Sequence, residues 1–342
     1  MPISKRALLA RGLSALGVMR VLEASSRRPG LFVLNYHRVG SPDTSPLDDG
    51  VFSASPEALR AQVRYLRRRF DLPTLDDVIA AGESGFQFAR PTALVTFDDG
   101  YRDNLENAFP ILREEGVPAV FFICPTFVAG DHLPWWDRIA YVFKQTRKQS
   151  FTLEYPVSYQ VDLQQVPRKV AVFHYLRAFR QYPQAVDETA YFRHLEERAD
   201  VAVSCEELQR QLFLTWDEIR RLKSGGMGIG SHTVTHSILS RLSEADQLEE
   251  LRTSKAIVGA ELGCAVDALA YPVGTESAFS NTTKSLARQA GYRMAFSYYG
   301  GVNWSGHSDL FDVRRISIEY GDSFALFRAR LVCSSSFGRS PF

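Results

Sequence analysis

Two pairs of residues in this 342-residue chain have the types and spacing needed for metal-assisted hydrolysis. His232 and His236 stand four apart, a spacing that on a helical turn points both rings the same way and lets them bind one ion. Asp98 and Asp99 are adjacent and precede Gly100. Asp99 with the two histidines makes a two-histidine, one-carboxylate set that leaves coordination positions open for water and substrate. Zinc suits such a set, and iron, cobalt or nickel would also be accepted. The neighbouring carboxylate then has a use: Asp98 can take the proton of an attacking water, while the cation keeps both aspartates ionised. Each motif alone has a plainer reading, His-x-x-x-His as a surface or core pair and Asp-Asp-Gly as a turn. Together they carry the residue types that one hydrolytic site requires.

The elements that must position these residues follow from the apolar pattern. Leu31–Tyr36 is an apolar run of strand length that stops at His37, and Thr92–Phe97 is another that stops at Asp98. Ala119–Ile123, Met227–Gly230, Ala268–Tyr271, Met294–Ser297 and Val313–Ile318 read as further strands. Helices are marked between them. Ser55-Pro56 supplies an N-cap with proline at the first helical position, Thr215-Trp-Asp-Glu218 a capping box, and Ser243 the cap of a helix running to Glu261. Regular alternation implies a mainly parallel sheet, and about seven repeats suggest closure into a (β/α) barrel. His37, Asp98-Asp99, Ser231-His232 and Tyr271-Pro272 each follow a strand, so they would share the C-terminal rim, where such barrels place reactive groups. The stretch from about 131 to 213, with Trp135-Trp136 and mixed helical patches, breaks the rhythm and reads as a largely helical insertion, a lid or substrate-facing subdomain.

Thr96-Phe-Asp-Asp-Gly100, Ser231-His-Thr-Val-Thr-His236 and Ala270-Tyr-Pro-Val-Gly274 resemble the first three motifs of the polysaccharide deacetylase family, carbohydrate esterase family 4. The resemblance implies a distorted (β/α)7 barrel and removal of N-acetyl groups from amino sugars of a polysaccharide or glycan precursor. It also implies Asp98 as base, with Asp99, His232 and His236 as ligands of one divalent metal ion, zinc being expected. A backbone N–H near Val273 would support the oxyanion. Where the family's third motif usually begins with an arginine that orients the base, this chain has Ala270. On the last strand Val313, Arg315 and Ser317 share one face, so Arg315 either points inward as a substitute or outward into an ion pair. The family's C-terminal Leu-x-His motif is missing. Leu34-Asn-Tyr-His37 is instead similar to the permuted branch typified by biofilm poly-N-acetylglucosamine deacetylases, which implies His37 as the general acid, with His307 as a rival.

Bulk properties set the remaining expectations. Lys plus Arg number 40 and Asp plus Glu 39, so the net charge of +1 gives no field for nucleic acid. The four cysteines are far apart, without the spacing of a disulfide framework or a thiolate zinc site, which favours a reducing, cytoplasmic setting without excluding export. Residues 1–28 hold six Lys or Arg against Glu23, and residues 5–22 read as a basic amphipathic helix with Leu8, Leu9, Leu13, Leu16 and Met19 on one side. That helix either packs on its own domain, residues 29–333, or lies on the inner face of an anionic membrane. Residues 334–342 read as a loose tail. Alternative functions are deacylation or deformylation of a lipid-linked sugar, and a catalytically silent glycan-binding barrel. Oligomeric state is not legible.

Overall fold

The structure is a computed structural model. It describes residues 5–15, 18–25, 28–130, 132–156, 158–180, 187–306 and 309–332. The chain divides into two units: residues 1–40, 52–129 and 213–342 form one, and residues 41–51 and 130–212 the other.

The first unit is built on seven parallel strands: β1 (Gly30–Tyr36), β2 (Pro91–Phe97), β3 (Ala119–Ile123), β4 (Gly228–Ser231), β5 (Ala268–Ala270), β6 (Met294–Phe296) and β7 (Arg315–Ser317). Each of β1 to β5 pairs in parallel with the next, and β7 returns to pair with β1, Val33 opposite Arg315 and Asn35 opposite Ser317. The ring closes where Val313, just before β7, bridges Phe296 at the end of β6. This is a distorted (β/α)7 barrel. A two-residue segment, Asn303–Trp304, runs antiparallel to the start of β1, so Trp304 lies at the end of the barrel away from the rim.

Strand alternation sorts the side chains into two apolar layers. Leu31, Val33, Leu94, Val120, Phe122, Ala268, Ala270, Met294 and Phe296 fill the barrel interior, with Leu75, Val78 and Ile79 from the helix Leu75–Glu83. Phe32, Leu34, Val95, Phe97, Phe121, Ile123, Ile229 and Ile316 face outward against the surrounding helices, for example Leu59, Val63 and Leu66 of Pro56–Arg69. The expected caps are in place, with Ser55 accepting from Ala58 N, a capping box at Thr215 and Ser243 accepting from Asp246 N, and Ser280 adds a further capping box. The helix after β2 begins irregularly, as a π-helical turn at Asn104–Ala108 before Phe109–Glu115.

The second unit contains helices Trp135–Gln145, Arg168–Phe179, Glu188–Ala199 and Cys205–Leu212, and an antiparallel pair, Ser150–Leu153 with Tyr159–Asp162. Its aromatic residues pack on one another, Trp135 on Phe179 and Phe143 on Tyr175. The sequence reading confined this unit to a continuous insertion. Residues 41–51 belong to it too, because Asp48 N–H donates to Asp137 Oδ1 and Lys144 pairs with Asp49.

The amino-terminal expectation also needs correction. Helix is described over Lys5–Ala15 and Val18–Ser25, residues 16 and 17 lying outside the described residues, and the apolar residues do not share one environment. Ala10 and Met19 are buried with Leu326 and Ala329 of the helix Phe324–Val332, whereas Leu8 and Leu9 are exposed. The tail from 334 and the rival His307 lie outside the described residues.

Barrel packing makes one position testable. A Cβ on Gly230 would meet Phe122 ring carbons at 2.5 Å, inside the barrel and backed by the Ala268 carbonyl at 3.1 Å. Gly230→Ala should therefore overpack the interior and lower stability by about 1–3 kcal/mol. An unchanged denaturation midpoint would contradict this packing.

Candidate active site and metal centre

Two strand ends, those of β2 and β4, carry the candidate metal ligands and base. β2 ends at Phe97, and Asp98 follows the inward parity of Leu94 and Thr96. In an extended chain Asp99 would then point to the other side of the sheet. It does not, because its backbone turns into the left-handed region, with φ 73°. Both carboxylates are thereby brought to His232, with Asp99 Oδ1 at 3.4 Å and Asp98 Oδ2 at 3.9 Å from its Nε2. The two aspartates are each 2% exposed.

His232 and His236 share the site by a route other than the expected helical turn. Residues 232–236 form a loop after β4, with Thr233 at φ 62° and His236 at φ 61°. The loop is fixed from outside. Glu250, on the helix Glu244–Leu262, accepts from Val234 N–H, Thr235 N–H and the Thr235 hydroxyl, while the Val234 carbonyl accepts from Thr126. His236 stacks on Phe127, and its Nε2 comes to 3.4 Å from Asp99 Oδ1. His232 Nδ1 lies 2.7 Å from the Ala270 carbonyl, which can only accept. Nδ1 thereby carries a proton, and Nε2 is the nitrogen turned toward Asp99.

These three donor atoms fit a metal ion. Asp99 Oδ1, His232 and His236 offer ligand atoms within 4.8 Å of one another. Asp99 Oδ1 is buried without a hydrogen-bond partner, which is costly for an ionised oxygen unless a cation meets it. Charge and protonation agree. Burial pushes His236 down to about 3, so its ring is neutral and able to ligate. Burial opposes protonation of His232, but Asp98 and Asp99 outweigh it and raise its pKa, as expected where carboxylates have no cation between them.

Asp98 is held separately. Its Oδ1 accepts from Arg315 Nη1 at 2.7 Å and its Oδ2 from Asn35 Nδ2 at 3.1 Å. Arg315 is fully buried, and its Nε donates to the Ser297 carbonyl. Of the two readings of Arg315, inward and outward, the structure has the inward one. Burial alone would raise the Asp98 carboxyl, but Arg315, with His232 and His37, holds it well below the usual carboxylate range.

His37 stands on the same rim, at the end of β1. Its N–H donates to Ser53 Oγ, its carbonyl accepts from Asn104 Nδ2, and its ring meets Tyr298 edge-on at 5.7 Å between centroids. Asp103 grips the next two residues through Arg38 Nε and Val39 N–H. Burial pushes the His37 pKa below its ordinary value, against the pull of Asp99 and Asp98. Val273 follows β5 at φ 61°. A Cβ on the adjoining Gly274 would meet Tyr298 Cβ at 2.7 Å, so this glycine lets the Val273 turn approach the residue that backs His37.

The model of the polysaccharide deacetylase family matches residues 87–295, more than half of the chain. The chain belongs to the polysaccharide deacetylase family. It is 20% identical to YxkH of Bacillus subtilis (strain 168) over 236 residues, 69% of this chain and 54% of that protein. It is also 29% identical to the poly-beta-1,6-N-acetyl-D-glucosamine N-deacetylase of Staphylococcus epidermidis over 109 residues, 28% of this chain and 37% of that protein. The chain thus spans about half of the first relative's length and about a third of the second's. Among solved structures it resembles the Streptococcus pyogenes deacetylase PplD, with TM-score 0.57, 17% identity and coverage of 91% of this chain and 99% of that one. It also resembles IcaB from Ammonifex degensii, with TM-score 0.56, 20% identity and coverage of 90% and 98%. At these identities the structural likeness speaks for the fold.

The family motifs account for Asp98, Asp99, His232 and His236 but not for what holds them. Sequence reasoning missed Asn35, Thr96, Asp103, Asn104 and Glu250. Asn35 was within reach, since it lies two residues before His37 and shares the inward parity of Val33. Its amide is oriented by two donors, Arg315 Nη1 and Thr96 Oγ1, on its oxygen, which leaves its NH2 for Asp98. Loss of a hydrogen bond to a charged group costs about 1.5–3 kcal/mol, so Asn35→Ala should lower turnover about ten- to a hundredfold. Metal stoichiometry should be unchanged in that variant and collapse in His236→Ala. Metal analysis beside a turnover assay checks both, and full metal in His236→Ala would remove it from the ligand set.

Proposed function

We propose that this chain is a metal-dependent hydrolase that removes N-acetyl groups from amino sugars of a glycan. The observation that carries the reading is one buried carboxylate, Asp98, fixed by Arg315 and Asn35 beside a second, Asp99, whose free oxygen faces two histidine nitrogens. A dication held by Asp99, His232 and His236, zinc for preference, supplies a Lewis acid that polarises the acyl carbonyl and makes water more acidic.

The protein groups then divide the proton transfers. Asp98 accepts the proton of the attacking water at Oδ2, since Oδ1 is engaged by the charged Arg315 guanidinium and Oδ2 only by the neutral Asn35 amide. Val273 N–H is assigned to the oxyanion of the tetrahedral adduct, a place where a preformed donor stabilises developing charge. His37 gives its proton to the departing amine nitrogen as the C–N bond breaks, and acetate leaves. The Tyr298 contact and the clamps on its backbone limit the positions the imidazole can take.

Asp98→Asn is nearly isosteric but cannot accept the proton, so it should keep the metal and lose about 10²- to 10⁴-fold in turnover. Loss of metal with activity would make Asp98 a ligand instead. An acid serves only while protonated, so the rate should fall as pH rises through the His37 pKa, and His37→Ala should remove that alkaline limb while retaining metal. A limb that persists in the variant would take the acid role from His37.

The substrate is approached by measuring acetate and formate released from N-acetylated oligosaccharides and from lipid-linked N-acyl sugars. Acetate from the oligosaccharides is the expected result. Formate, or release from the lipid-linked sugars alone, would favour the second enzymatic reading. Binding of the oligosaccharides without release of either acid by metal-loaded protein would favour a silent glycan-binding barrel.

A further inference from the structure

We propose that the outer face of the amino-terminal helices, Lys5–Ala15 and Val18–Ser25, is a docking surface for an anionic lipid membrane. These helices already have their inward partners. Ala10 and Met19 are buried with Leu326 and Ala329, and Glu23 is bonded to Arg328, Arg69 and the Tyr65 hydroxyl. The same helices also present apolar side chains outward. Leu8 is 62% exposed, Leu9 56%, Val18 38% and Val21 65%. Phe324, which opens the helix these two pack against, is 44% exposed. Most of the large exposed hydrophobic side chains among the described residues thus fall in one small part of the fold. An apolar surface of this kind marks an interaction site.

Charge selects the occupant. Residues 1–28 carry Lys5, Arg6, Arg11, Arg20, Arg27 and Arg28, and their single acid, Glu23, is engaged by Arg69 and Arg328. Aliphatic side chains on a strongly basic segment suit the boundary between anionic headgroups and acyl chains. They suit a second copy of this chain poorly, since two basic segments would face each other. A glycan would call for several aromatic platforms, and neither helix carries an aromatic residue. No described helix is long and apolar enough to cross a membrane, and the attachment proposed is a peripheral one. Neither helix contributes a residue to the catalytic rim, and the inference stands independently of the deacetylase reading.

The test is co-sedimentation of the full chain with vesicles of phosphatidylcholine alone or mixed with phosphatidylglycerol, at low and raised salt. Two variants accompany it, Leu8→Ser/Leu9→Ser/Val21→Ser and Lys5→Glu/Arg6→Glu. The parent should bind the anionic vesicles, release them as salt rises, and leave the neutral ones unbound. The serine variant should lose about tenfold or more in partitioning, with an unchanged melting temperature because the three side chains are exposed. The charge variant should lose the preference for anionic lipid, which keeps the proposal testable if the serine variant does not fold. Equal sedimentation of parent and variants, no sedimentation by the parent, or a lipid-independent dimer that the serine variant dissolves would each overturn it.

Discussion

The arrangement of this rim follows from one constraint, two adjacent aspartates buried side by side in a low-dielectric barrel mouth. Each carboxylate must be compensated separately, because a single cation between them could not also leave one free to accept a proton. Asp98 is compensated by Arg315, buried completely and fixed in turn by Ser297 and Asn35. Asp99 is compensated by no side-chain cation at Oδ1, only by the approach of His232 and His236. This asymmetry separates the two roles. In the proposed reading the first acid is the held base and the second a metal ligand.

Convergence on this point requires strained backbone. Asp99, Thr233, His236 and Val273 all have positive φ, although none is glycine. Such conformations cost about 1–3 kcal/mol each and persist only where the surroundings determine them. Those surroundings are visible. Glu250 holds the loop between the histidines, while the irregular turn after β2 brings Asp103 and Asn104 under the His37 segment. The helix that follows the aspartates therefore also fastens the histidine across the rim, and the groups assigned to proton acceptance and donation are mechanically linked.

Much of this was legible because a parallel barrel ties function to strand ends. The alternation of apolar runs and helix caps located β1 to β7 to within a few residues. The motifs after β1, β2, β4 and β5 then had to converge. Parity along the last strand allowed Arg315 to point inward, but deciding between inward and outward required knowing that Asp98 and Asn35 lie across the seam. What stayed hidden depends on backbone twists without a local signal. The left-handed turn at Asp99 reverses the alternation that strand reasoning relies on. The His-x-x-x-His spacing suggested a helix, whereas the same convergence is achieved by a loop pinned by Glu250, a residue fourteen positions further on in the chain. Residues 41–51 join the second unit through Asp48 and Asp49, contacts that no composition shift marks.

The central claim is that Asp99, His232 and His236 hold an ion on which hydrolysis by Asp98 depends. The measurement that tests it most directly is acetate release from an N-acetylated oligosaccharide by chelator-stripped protein as zinc is titrated back. The account predicts little release from the stripped protein, recovery in proportion to added zinc, and saturation at one equivalent per chain. Full release without zinc, or recovery that ignores this stoichiometry, would contradict it.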